Sequence, residues 1–111
     1  MDIEHDAVFK AYQNYTSNQA KKVTRLPVYL DANPNADSKN SSAHILKYNY
    51  PPRYKIVFSG GFYRYHKNDT YMIKQIISHE LAHILEPHDH DAGFKQVAKK
   101  LGCKGRYLNE R

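Results

Sequence analysis

Tryptophan is absent and cysteine occurs once in 111 residues. A single thiol, Cys103, forms no internal disulfide, and a zinc ribbon needs about four Cys or His ligands in paired spacings. The lone thiol also makes a cytosolic setting the simpler reading, so the expected location is cytoplasmic. No stretch approaches the roughly 18 consecutive apolar residues of a membrane-spanning helix. The start, MDIEHDAVFK, carries early acids and no apolar signal-peptide core, so no membrane partner is expected. Repeats, low-complexity tracts, interdomain linkers and glycine-rich phosphate loops are all missing. One domain over residues 1–111 and a monomer are the expectation.

What is abundant is basic charge and tyrosine. Lys plus Arg number 17 against 11 Asp plus Glu, a balance of +6 that admits DNA as a partner without demanding it. The cations are scattered from Lys10 to Arg111 and are densest in KQVAKKLGCKGRYLNER. On charge alone, a solvated helix face and tail explains them better. Ten tyrosines offer packing area with a hydroxyl tip, which suits a small core or a ligand groove. At this length the core is modest, and a bound ion would add its binding energy to folding.

Hydrophobic periodicity outlines the elements. Val8, Ala11, Tyr12 and Tyr15 recur at helical spacing, which predicts a helix over about Ile3 to Asn18. RLPVYLDA reads as a strand, NPNADSKNSS as a polar loop, and AHILKYNY as a second strand closed by Pro51 and Pro52. YKIVFSGGFYRY is the clearest β segment, with Gly60-Gly61 as a bulge or turn inside it. Asn68 or Asp69 then caps a helix running to about Glu86, where Pro87 stops it. Asp89 or Asp91 caps a final helix, with Phe94, Val97, Ala98 and Leu101 inward and Gly102 at its end. The predicted class is α+β: an N-terminal helix, a small, mostly antiparallel sheet of about three strands, a long helix and a C-terminal helix.

The chemistry concentrates in IISHELAHILEPHDHDAGF, residues 76–94. Within it, His79-Glu80-Leu81-Ala82-His83 forms H-E-x-x-H. Residues four apart stand one above the other on a helix, so two imidazoles there can meet one metal ion. Glu80, at about 100° from His79, lies beside them within reach of a water on that ion. Ile73, Ile77, Leu81 and Ile84 occupy the adjoining sector and face the core. Nitrogen-rich ligation favours Zn2+. A catalytic zinc usually takes a third protein ligand. His90 is the expected one, with His88 or a carboxylate as alternatives. Asp89 and Asp91 either orient ligand imidazoles or simply cap the next helix.

SHELAHILEPHDHDAGFKQVAKKLG resembles the SprT-like zinc metallopeptidases and the related WLM group. His79, Glu80 and His83 match the helix motif of that family, and His90, Asp91 and Phe94 match its loop motif. The likeness covers about residues 54–102, with YKIVFSGGFYRY in the place of the strand before the active-site helix. The sequence departs from the family in its shortness and in having no zinc ribbon after the motif. The resemblance implies a minimal zincin-like domain with His79, His83 and the loop histidine on zinc and Glu80 as general base. It also implies a protein or peptide substrate, with DNA-associated proteins among the family's targets.

The implied reaction is hydrolysis of a peptide bond by a zinc-activated water, with Glu80 taking the proton and passing it to the departing amine. Tyr63, Tyr65 and His66 are candidate donors to the transition-state oxyanion, although packing or exposure is their more ordinary role. An extended substrate would pair with an exposed sheet edge, for which YKIVFSG is the expected template. Two other functions remain open. One is hydrolysis of nucleotide phosphoanhydrides, since a pyrophosphatase group resembles the same motif. The other is a non-catalytic module stapled by zinc, with the basic tail binding nucleic acid or protein.

Overall fold

The computed structural model describes residues 7–33, 42–86 and 91–108. Their elements are α1 (Ala7–Ala20), β1 (Val28–Asn33), β2 (Ala43–Asn49), β3 (Pro52–Ser59), α2 (Gly60–His66), α3 (Thr70–Leu85), α4 (Ala92–Lys100) and a closing 3-10 turn, Gly105–Leu108. The α+β class and the three-stranded sheet are as expected, while the described residues form four α-helices in place of the three expected. The sheet order is β1-β3-β2. β2 and β3 form an antiparallel hairpin with Asn49 opposite Pro52, so only Tyr50 and Pro51 make the turn. β1 runs parallel to β3, from Val28 opposite Tyr54 to Asn33 opposite Ser59. The antiparallel expectation therefore describes one of the two ladders. The hairpin leaves one edge of β3 open, and β1, two strands earlier in the chain, runs in the same direction as β3 when it fills it.

β3 is thus the central strand, which explains its nearly continuous apolar run: Ile56, Val57 and Phe58 are all buried. This overturns the expected substrate template, because YKIVFSG is already paired on both sides. A second correction concerns GGFYRYH, which forms α2 and does not continue the strand. Its aromatics favour strands by propensity, but tertiary packing decides here. As a helix the segment buries Tyr63 against Phe58 of β3 and Phe9 of α1, both with ring centroids 5.9 Å away. Phe62 and His66, one turn apart, also meet at 4.5 Å.

α1 buries Phe9, Tyr12, Thr16, Gln19 and Ala20. Val8 and Tyr15 flank this stripe, whereas Ala11, expected inside, is exposed. Residues before Ala7, where the helix was expected to begin, lie outside the described residues. Gln13 ties α1 to β1, donating from Nε2 to Val28 O at 3.0 Å and accepting at Oε1 from Leu30 N at 2.7 Å. These bonds occupy part of the outer edge of β1. Deeper in, Tyr15 and Ser78 hydroxyls meet at 2.7 Å, and Gln19 Nε2 donates to Ser78 Oγ at 3.3 Å and to Leu101 O. That satisfied polar seam joins α1, α3 and the end of α4.

Candidate metal centre

α3 starts at Asp69, whose carboxylate accepts from Met72 N at 3.1 Å. Sixteen residues follow without a proline or glycine. Ile73, Ile77 and Leu81 have no exposed surface, which fixes the helix's rotation about its own axis. His79 and His83 are consequently held on the neighbouring sector. His79 is buried and His83 half-buried, and their ring centroids are 5.1 Å apart at an interplanar angle of 79°. Two imidazoles sharing one zinc through Nε2 at ~2.0–2.1 Å, with tetrahedral angles, would put their centroids roughly 5 Å apart.

The hydrogen bonds on the far side of each ring fix its protonation pattern. His79 Nδ1 lies 2.7 Å from the carbonyl oxygen of Tyr107, and His83 Nδ1 lies 3.1 Å from that of Glu86. A carbonyl oxygen only accepts, so each Nδ1 carries the proton. In the neutral ring the lone pair is then on Nε2, the arrangement of a metal-ligating histidine held by an outer carbonyl. The donor set thus suits zinc. His79 and His83 would hold the ion, and Glu80, half-buried on the same turn of α3, stands next to them.

Phe94 of α4 closes the back of the pair. It has no exposed surface, and its ring lies 5.0 Å from His79 and 4.6 Å from His83. Asp91 places it: this residue is the N-cap of α4 and accepts from Phe94 N at 3.0 Å. Capping is therefore the observed role of Asp91. The Glu86 side chain at the end of α3 lies over Gly93, where a Cβ would come within 2.8 Å of Glu86 Oε1 and turn that carboxylate aside.

The other site expectations divide. His88, His90 and Asp89 lie outside the described residues, as does Pro87. Among the described residues, no group of three or more His, Cys, Asp or Glu side chains comes together as a ligand set. Tyr63 is a core residue between Phe9 and Phe58, Tyr65 is 89% exposed, and His66 stacks on Phe62. The contacts seen for Tyr63 and His66 are thus packing contacts with Phe9, Phe58 and Phe62, and Tyr65 faces solvent. Sequence reasoning missed Tyr107 and Glu86, which act through main-chain carbonyls and so leave no side-chain signature. It also missed Gln75, one turn before His79. No protein-family model, no curated protein and no solved structure matches the chain.

Proposed function

We propose that this protein is a zinc-dependent peptidase of the kind its motif resembles. The observation that carries the reading is the pair of Nδ1–H···O=C bonds, which turn the Nε2 lone pairs of two imidazoles on one helix face into metal-ligand donors. His79 and His83 would hold the ion, with His90 as the third imidazole. When bound, zinc lowers the pKa of a water toward about 7 and polarises the scissile carbonyl. Glu80 accepts the proton of the attacking water and delivers it to the leaving amine. A purely structural zinc would have no use for a carboxylate at that position, which favours catalysis over a staple.

The substrate strand has one natural place to pair. The central strand β3 is taken, and Gln13 occupies part of the outer edge of β1. β2 is the other edge, and it packs against α3, the helix bearing His79 and His83. An extended peptide adding to β2 would extend the sheet on the side of the strand that packs against α3. DNA-associated proteins are one class of such substrates, consistent with a net charge of +6.

The test is incubation of the zinc-loaded protein with an unfolded polypeptide, followed by mass spectrometry of the products. New peptide termini are expected with wild type. In Glu80→Gln they should fall by about 10²–10⁴-fold, the usual size of a general-base contribution. Substrates N-methylated at the amides flanking the cut should be poorer, because they cannot complete a ladder. Release of phosphate or pyrophosphate from nucleotides, with intact peptides, would contradict the reading.

A further inference from the structure

Gln75 has no part in the H-E-x-x-H motif, yet it is 7% exposed in the middle of α3. It lies four residues before His79, so Tyr71, Gln75, His79 and His83 form one stripe along the helix. Its amide clamps the chain that follows α4. Nε2 donates to Gly102 O at 2.8 Å, and Oε1 accepts from Lys104 N at 2.8 Å. Between them Cys103 is buried, with its thiol pointing at Gln75 O from 3.8 Å. The clamped chain then bends through two left-handed glycines, Gly102 at φ 98° and Gly105 at φ 58°. It returns along the same stripe as the closing turn. There the Tyr107 ring packs on Tyr71 at 6.4 Å, and the Tyr107 carbonyl takes the His79 Nδ1 proton.

The acceptor that sets the state of His79 is thus not part of α3. It sits on a short strap whose place against the helix depends on the residues beneath it. We propose that Gln75 is a positioning residue for the candidate metal centre, holding the 102–108 strap so that Tyr107 O meets His79 Nδ1. A hydrocarbon in its place makes neither bond, and a carboxylate accepts from Lys104 N but cannot donate to Gly102 O. Without the clamp the carbonyl is free to swing to water, and His79 loses both its ring orientation and the bond that raises its basicity. Loss of such an outer partner typically weakens metal affinity about 10–100-fold. This inference rests on the zinc reading above.

The fold supplies its own control. Gln13 makes the same pair of hydrogen bonds to an extended chain, donating to Val28 O and accepting from Leu30 N, but on α1. Gln75→Met and Gln13→Met each delete one amide clamp and keep the side-chain volume close. The measurements are Zn2+ affinity by competition with a chromophoric chelator, the His79 ring nitrogen signals of the metal-free protein, and the melting temperature of both variants. Both should melt earlier than wild type. Only Gln75→Met should bind zinc about 10–100-fold more weakly and lose the slowly exchanging His79 Nδ1–H signal. Gly102→Ala is the second variant should Gln75→Met not fold. A Cβ there meets nothing within 4 Å, so only the left-handed backbone is strained, and it should shift the same two readouts. Wild-type zinc affinity and an intact Nδ1–H signal in Gln75→Met would overturn the proposal. So would equal zinc losses in the two glutamine variants. Wild-type protein that takes up no zinc would remove the metal reading, and Gln75 would then be judged on the Nδ1–H signal alone.

Discussion

At the scale of single residues, His79 and His83 show what spacing can and cannot convey. The i, i+4 separation told where the rings would stand, and the apolar stripe of Ile73, Ile77 and Leu81 told which way the helix would turn. The acceptors on their Nδ1 atoms were illegible, because the carbonyls of Tyr107 and Glu86 are backbone groups common to every residue. Cys103 behaves as a buried apolar group. Burial pushes its thiol up from 9.0 to about 12. The unfolded chain ionises near the lower value while the fold keeps the proton. This residue's contribution to stability is therefore complete below about pH 9 and is lost as pH rises toward 12. At about pH 8 the native thiol should react with iodoacetamide far more slowly than in urea, and equal rates would contradict its placement. Gly93 makes a second prediction at this scale. A Cβ at Gly93 comes closest to the tip of the flexible Glu86 side chain, which can swing away, so Gly93→Ala should change stability by less than about 1 kcal/mol in urea unfolding, and a larger loss would contradict this placement.

Elements were legible where end signals and periodicity agreed. Asp69 and Asp91 each sit at a helix start and each accepts from the amide three residues on, as the capping rule expects. Gly102 ends the last helix region at positive φ, again as read. The sheet was harder, since central and edge strands differ in what pairs with them, which one chain segment cannot report. The run after Ser59 was harder still: Phe62, Tyr63 and Tyr65 favour a strand locally, and only the hole between Phe9 and Phe58 makes a helix the better way to bury Tyr63. The caps can be tested directly. Asp91→Ala should cost about 1 kcal/mol and loosen Phe94 against both imidazoles, so its loss of zinc affinity should exceed that of Asp69→Ala, an equivalent cap at the distant end of α3. Equal zinc affinities would mean that α4 does not support the site. Phe94→Ala should cost about 3–5 kcal/mol by thermal or urea unfolding, as for other fully buried phenylalanines.

At the scale of the whole molecule, a core of modest size is held together by polar tethers: the Tyr15–Ser78–Gln19 seam, the Gln13 clamp and the Gln75 clamp. No helix among the described residues is long and apolar enough to cross a membrane. An ion bound between α3 and the chain beyond it would bind the folded chain far better than the unfolded one. Free zinc at about 100 times its dissociation constant should then add about 2.7 kcal/mol to stability, seen as a higher melting temperature that a chelator reverses. The most direct test of the central claim is the zinc X-ray absorption spectrum of the loaded wild-type protein. Three imidazoles and one oxygen at ~2.0–2.1 Å are predicted, with one imidazole lost in His79→Ala and the same spectrum kept in Glu80→Gln. A spectrum without imidazole scattering, or one unchanged by His79→Ala, would contradict the account.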